Sequence, residues 1–472
     1  MDAAEVMYAG IACHAELVRG GEASARELTE AALARISALD PELNAFRVIL
    51  AERALAEADQ ADARRAAGDN RPLLGVPVAI KDVTDVGGEV TTWGTRAHGP
   101  PAERDAELVR RVRGAGAVIV GKTHTPEMAL WPFTESATFG LTRNPWDRER
   151  TPGGSSGGAA AAVAAGMVGA AQGTDGAGSI RIPAAACGLF GLKPQRGRVA
   201  LSPDDDHWHG LSVAGPIARS VADAALLLEA MATAPSAGGA PDAAQNPASS
   251  FLAAARREPA RMRIAVATNP PPGAKPLHPA CRRAVEETAD LLRQLGHAVS
   301  ERQLDYGNAL VAVGGRYLRG GHDAVAQLPH PERLERRTRA FARLGAAVSP
   351  AFVREERRRE GATARRLNRV LEGHDVLVMP TVIEPPHELG RYEGSGALRT
   401  LNGVSRGFGG PFTSLWNLTG QPAASVPAGF AQEGVPLAVQ LVAPPCAEAI
   451  LLSLAAQLEA ARPWATERPP VG

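Results

Sequence analysis

The chain has little of what cysteine-rich, metal-stapled or membrane proteins are built from. Its 472 residues hold four cysteines, Cys13, Cys187, Cys281 and Cys446, far apart and without a Cys-x-x-Cys pair or paired Cys/His spacing. That argues against a disulfide framework or a structural zinc and points to a reducing compartment. No uncharged apolar run reaches the roughly 18 residues that a spanning helix needs. The longest, Ala159 to Ala171, is alanine-rich and bracketed by glycines, and reads as a buried core helix. An excess of one charge is also missing: 51 Lys+Arg balance 51 Asp+Glu, so the electrostatic footprint of a nucleic-acid or anionic-membrane binder is absent. From Met1 through Glu16 acids stand where a secretory leader would be apolar, and a cytoplasmic location is expected.

Lysine is the scarcest charged residue. Of the 51 basic residues only Lys81, Lys122, Lys193 and Lys275 are lysine; the other 47 are arginine. Arginine keeps its proton in a protein, whereas a buried lysine can lose it. Where arginine is the default, each remaining lysine asks for a reason, and three of them fall between residues 81 and 193.

With 45% apolar residues the chain can bury a sizeable core. A capping box, Ser24-Ala-Arg-Glu27, opens a helix whose apolar face is Leu28, Ala32, Ile36 and Leu39, and Asp40-Pro41 is expected to end it. Further helices are predicted over 51–68, 107–115, 159–168, 221–231 and 280–295. Short apolar strands are predicted over 74–81, 117–120, 263–266 and 375–379. The alternation implies an α/β fold with a central mixed β-sheet flanked by helices on both faces. One domain over 1–472 is expected, with a core at about 70–230, a surface linker at about 232–260 and a second α/β portion over 261–472. The Arg/Glu-rich stretch 331–372 reads as solvated helices, because glutamates interleave the arginines.

Two short patterns compete for the chemistry. Gly116-Ala-Val-Ile-Val-Gly-Lys-Thr123 matches a phosphate-binding loop, but its variable positions are a buried strand and Pro126 follows closely. Gly153-Gly-Ser-Ser-Gly157 matches a nucleophile elbow, which would use Ser155 with a downstream acid and histidine. His278, His297, His322, His330, His374 and His387 lie downstream, none in a recognisable context.

A longer pattern is more specific. Thr151-Pro-Gly-Gly-Ser-Ser-Gly-Gly158 leads into the alanine-rich segment, then Gly173-Thr-Asp-Gly-Ala-Gly-Ser-Ile-Arg-Ile-Pro183 and Cys187-Gly-Leu-Phe-Gly-Leu-Lys-Pro194 follow. This run resembles the amidase signature family. The resemblance extends to Gly75–Asp82, Gly121–Glu127, Arg143–Trp146, Gly215–Asp223, Asn417–Pro422 and, loosely, Gly434–Leu441, in order along most of the chain.

The resemblance implies a catalytic triad with Ser179 as nucleophile, Ser155 as a bridging serine in a cis peptide with Gly154, and Lys81 as base. Gly176, Ala177 and Gly178, with Ser179, would form the oxyanion hole, although the family usually has Gly-Gly-Ser where this chain has Ala177-Gly178-Ser179. Asp175 and Arg181 are expected to pair in support, and Met128, Trp131 and Trp208 are candidate pocket residues. The insert Asp204-Asp-Asp-His-Trp-His209 reads as either an entrance lining or a solvated loop.

The chemistry stands on its own terms. A serine hydroxyl needs a neighbouring base, and a lysine serves only when burial has brought its pKa down from about 10.4 by roughly 3 units. The implied activity is hydrolysis of a non-peptide carbon–nitrogen bond in a linear amide, with esters or carbamates as further substrates. No cofactor and no metal are implied. Its partner would be a small-molecule amide, with no nucleic acid or membrane, and the enzyme would be a monomer or homodimer. The alternative is the amidase subunit of a tRNA-dependent amidotransferase, which the Arg-rich region 331–372 does not resemble. An inactive scaffold, or a hydrolase using Ser155 and a histidine, are further alternatives.

Overall fold

Among the described residues, thirteen short strands carry the architecture, eleven of them in one sheet that draws on both halves of the chain. The computed structural model describes residues 2–203, 206–233 and 250–471. The strands are β1 Phe46–Ile49, β2 Pro77–Lys81, β3 Val118–Thr123, β4 Glu135–Ser136, β5 Gly140–Leu141, β6 Ala170–Asp175 and β7 Phe190–Lys193. They continue as β8 Val213–Ala218, β9 Arg263–Val266, β10 Ala298–Glu301, β11 Val376–Pro380, β12 Ala423–Phe430 and β13 Pro436–Val442.

The large sheet has the order β1-β3-β2-β6-β8-β7-β12-β13-β11-β9-β10, and β4 pairs β5 in a separate hairpin. β3, β2 and β6 run parallel, as do β11, β9 and β10, while the pairings from β6 to β11 through β8, β7, β12 and β13 are antiparallel. The sheet is therefore mixed, and helices flank it. Every residue of β2, β3, β11 and β13 is buried. That is why these strands read as continuous apolar runs rather than as an alternation.

Several boundaries differ from the sequence reading. The helix opened by the Ser24 capping box runs on through Pro41 to Leu43. It closes with Asn44 in the left-handed conformation, its N–H donating to Asp40 O at 2.8 Å, while Asp40 Oδ1 accepts from Ala45 N at 2.6 Å. The alanine-rich run is not one helix: helix Gly157–Ala164 stops, and Ala170 begins β6 between β2 and β8. Gly166 ends the helix in the left-handed conformation (φ +63°), its N–H donating to Val163 O at 3.1 Å and that of Met167 to Ala162 O at 2.9 Å. Of the expected linker, residues 234–249 lie outside the described residues. Its last part is instead a helix, Phe251–Ala255, capped by Ser250 and with Phe251, Ala254 and Ala255 buried. In the Arg/Glu-rich region Glu355 pairs with Arg358 and Arg359 at the surface. Glu360 turns inward, because buried Arg316 needs a counter-charge (Nη1 to Oε2, 2.5 Å).

Candidate active site

β2 and β6 are parallel neighbours, so their carboxyl ends open at the same edge of the sheet, the usual place for a site in such folds. Lys81 is the last residue of β2, and its backbone N–H donates to Gln172 Oε1 on β6 at 3.1 Å. Its Nζ lies 2.7 Å from Ser155 Oγ and 3.0 Å from Thr174 Oγ1. Lys81 forms no ion pair with a carboxylate among the described residues. Burial brings its pKa down to about 7, against the partial opposition of the Asp175 charge.

Ser155 sits in the glycine-rich turn before helix Gly157–Ala164, and the Gly154–Ser155 peptide is cis. A side chain at Gly154 would stand 2.6 Å from Phe133 N and 2.7 Å from Trp131 O, so the turn needs glycine there. Ser155 Oγ bonds Lys81, and among the described residues no histidine is bonded to it.

The loop after β6 is organised by one carboxylate. Asp175 Oδ1 accepts from Gly178 N at 2.7 Å and from Arg181 Nη2 at 2.9 Å; Oδ2 accepts from Ile180 N at 3.1 Å and from Arg181 Nε at 3.0 Å. Burial alone would raise this carboxyl, but the Arg181 charge and hydrogen bonds from Arg181 and Asn417 outweigh it and hold the pKa well below the usual range. Arg181 is fixed in turn by Thr413 O, Gln440 Oε1 and Asn417 Oδ1 at 2.6–2.8 Å. The expected Asp175–Arg181 pair is therefore present and fully buried.

The same bonds sort the loop's N–H groups. The Gly178 N–H is engaged by Asp175, whereas those of Gly176, Ala177 and Ser179 have no protein acceptor among the described residues. Gly178 has φ +129°, and a Cβ there would collide with Thr413 and Ile182. Ala177 lies outside the left-handed region, so its methyl adds no backbone conflict; its carbonyl accepts from Thr413 Oγ1 at 2.7 Å.

Ser179 borders two cavities. The smaller, about 140 Å³, is lined by Ser155, Thr174, Gly176, Trp93, His207 and Trp208 among others. The larger, about 660 Å³, is mostly apolar, with Leu130, Trp131, Ile182, Tyr317, Leu318 and Val404 on its walls. The Ser156 N–H donates to Ser179 O at 3.2 Å, tying the two serine-bearing loops together.

Of the pocket residues expected from sequence, Trp131 lines the larger cavity and Trp208 the smaller. Met128 lines neither; it faces an outer groove beyond Trp93 and Trp208. Asp204 and Asp205 of the acidic-aromatic insert lie outside the described residues. His207 of the insert lines the smaller cavity beside Trp208, and the structure adds Trp93 and Thr174, which sequence reasoning missed. The false leads also resolve. Gly121-Lys122-Thr123 is the end of strand β3, and Lys122 is tied to Asp82 at 2.9 Å, Thr91 Oγ1 at 2.8 Å and Val90 O at 3.0 Å.

A protein-family model described as Amidase matches residues 27–452. AmiB2 of Mycobacterium tuberculosis (strain ATCC 25618 / H37Rv), whose own amidase name is provisional, is 50% identical over 476 residues, covering 100% of each chain. The 6-aminohexanoate-cyclic-dimer hydrolase of Paenarthrobacter ureafaciens is 36% identical over 496 residues, covering 96% of this chain and 95% of the other. A solved structure of 6-aminohexanoate cyclic dimer hydrolase with substrate superimposes with a TM-score of 0.89 at 34% identity, over 98% of this chain and 99% of the other. A bacterial aryl acylamidase of the amidase signature family superimposes with a TM-score of 0.84 at 26% identity, over 95% of each chain.

Proposed function

The chain belongs to the amidase family, and on that premise we propose that it hydrolyses carboxylic amides through a serine acyl-enzyme. Ser179 is the nucleophile, Ser155 the proton relay and Lys81 the base. The observation that carries this reading is the 2.7 Å contact between Lys81 Nζ and Ser155 Oγ, made by a lysine that burial brings to a pKa of about 7. A neutral amine at that position accepts a proton near neutral pH, as a general base must.

The steps balance. Neutral Lys81 takes a proton through Ser155 as Ser179 Oγ attacks the carbonyl carbon, and the negative charge moves to the carbonyl oxygen. The N–H groups of Gly176, Ala177 and Ser179 are the donors for that oxygen. Gly178 shapes the loop instead, since its N–H is held by Asp175. Collapse of the tetrahedral intermediate breaks the C–N bond, and the proton returns through Ser155 to the departing nitrogen. Water then attacks the acyl-enzyme with the same relay, releasing the acid and regenerating Ser179.

The cyclic amide in the name of one relative brings cyclic amides into scope beside linear ones. Esters and carbamates pass through the same kind of intermediate and are included. The reaction is that of the isolated chain, with no partner to receive ammonia. The test is hydrolysis by the purified protein of an anilide, a primary aryl amide, 6-aminohexanoate cyclic dimer, a nitrophenyl ester and an aryl carbamate. Loss of all turnover in Ser179→Ala is expected. Wild-type rates in both Ser179→Ala and Lys81→Ala would overturn the triad.

A further inference from the structure

The two cavities at Ser179 differ in their relation to the proton relay. Ser155 lines the small cavity and is absent from the walls of the large one. In the proposed reaction, on which this inference rests, Ser155 delivers the proton to the departing nitrogen, and that transfer needs hydrogen-bond reach. The amine half of the substrate therefore enters the small cavity, and the acyl half occupies the large apolar one.

His207, which lines both the small cavity and the outer groove beyond Trp93 and Trp208, has a polar atom with an unused valence. His207 Nδ1 lies 2.9 Å from Ser212 Oγ, and Nε2 has no protein partner among the described residues. The ring is held between Trp93, at a centroid distance of 5.1 Å, and Trp208, at 5.6 Å. The backbone behind it is pinned. Trp208 and His209 both take left-handed conformations, and His209 Nε2 lies 3.0 Å from Asp323 Oδ2. Ser212 also borders the oxyanion loop, its Oγ standing 3.3 Å from where a Cβ on Gly176 would be. Burial, reinforced by the Lys81 charge, pulls the His207 pKa down to about 4, so the ring is neutral near pH 7 and adds no second cation beside Lys81.

We infer that His207 Nε2 is a hydrogen-bond partner for the leaving amine, and that the enzyme selects amides of compact amines carrying a hydrogen-bonding group. At about 140 Å³ against about 660 Å³, the amine side accepts a small group where the acyl side accepts a bulky hydrocarbon. A purely hydrocarbon amine in that space would cover Nε2 without satisfying it, and a buried polar atom left unpaired is costly. His207 is thus a specificity residue in the amine subsite.

The test compares N-hexanoylglycinamide with its near-isostere N-isobutylhexanamide, following hexanoate release by wild type, His207→Phe, His207→Leu and Ser179→Ala. Wild type is expected to favour the glycinamide by about tenfold or more in kcat/KM, mainly through KM. Either His207 variant is expected to bring that ratio close to one, and two variants are used so that misfolding of one does not decide the matter. A wild-type preference for the hydrocarbon amide, release from neither amide, or an unchanged ratio in the His207 variants overturns the inference. Hexanoate release retained by Ser179→Ala overturns instead the reading on which it rests.

Discussion

Lys81 and Lys122 stand on adjacent parallel strands, one register position apart, and only Lys122 meets a carboxylate. In the β2–β3 pairing Ile80 faces Lys122 and Lys81 faces Thr123. Lys122 Nζ lies 2.9 Å from Asp82 Oδ1, whereas Lys81 Nζ reaches the hydroxyls of Ser155 and Thr174. Burial lowers both lysines; the Asp175 charge opposes that shift at Lys81, and the Asp82 charge and hydrogen bond oppose it at Lys122. Lys122 is anchored by Asp82, and among the described residues Lys81 has hydroxyl partners and no carboxylate in ion-pair contact.

The first prediction is a pH profile. In the proposed reaction neutral Lys81 is the working form, and burial brings its pKa to about 7, so kcat/KM should climb as pH rises through that value and level off above it. Lys81→Ala should lower amide turnover by about 10²–10⁴-fold, the range for loss of a positioned base. Initial rates from about pH 5 to pH 9 check both. A wild-type profile flat across pH 7, with full activity in the variant, would remove Lys81 from the mechanism.

The second concerns Asp175→Asn. Removing one partner of a buried ion pair leaves Arg181 uncompensated, a loss of about 3–5 kcal/mol. The loop also loses a charged acceptor for Gly178 and Ile180 N–H, so turnover should fall with stability. The pH sign follows from the depressed carboxyl. Its contribution is present above the unfolded pKa, near 3.8, and is lost as pH falls toward the folded value. Denaturant melts should show the wild-type advantage shrinking below about pH 4. An advantage of constant size down to strong acid contradicts the pairing argument.

Much of this arrangement is readable from residues, and the unread parts have a physical pattern. β2 and β3 are legible because a strand buried on both faces must be a continuous apolar run. Lys81, Ser155 and Ser179, the triad of the proposed function, are named by the family resemblance that the ordered motifs carry. The break between helix Gly157–Ala164 and β6 has a signal that the alanine-rich pattern masks: Gly166, at φ +63°, closes the helix. Trp93 and Thr174 escape for another reason: a cavity wall is assembled from segments far apart in sequence, and no local pattern marks which side chain turns inward. The engagement of Gly178 by Asp175 is equally invisible, since the motif gives the loop's residues but not which N–H groups are already used.

A third prediction separates the two small residues of that loop. Gly178→Ala places a Cβ at φ +129° against Thr413 and Ile182, and so must displace the loop. Ala177→Gly removes a methyl from a residue with no left-handed requirement. Turnover should therefore fall much further in Gly178→Ala than in Ala177→Gly, by about 10²-fold or more relative to wild type, the scale of a misplaced oxyanion donor. Side-by-side kcat values decide it, and equal losses would mean that the loop's shape does not depend on Gly178.

The last prediction lies away from the site. Glu459 Oε2 accepts from Val221 N at 3.1 Å, while Oε1 is buried without a partner. Burial raises this carboxyl to about 7; the Val221 bond opposes the rise and the nearby Asp223 charge adds to it. Because the folded pKa lies above the unfolded value of 4.5, the group's contribution to stability is fully present below that value and is lost as pH rises through about 7. Above neutrality the fold therefore carries a poorly solvated charge. Glu459→Gln keeps an oxygen for Val221 and removes that charge, so it should stabilise the protein at about pH 8 by roughly 1–3 kcal/mol. At about pH 4, where Glu459 is largely protonated in both the folded and the unfolded chain, the gain should nearly vanish. Melting curves at the two pH values test this, and a shift of equal size at both would show that the substitution acts through packing and not through the charge.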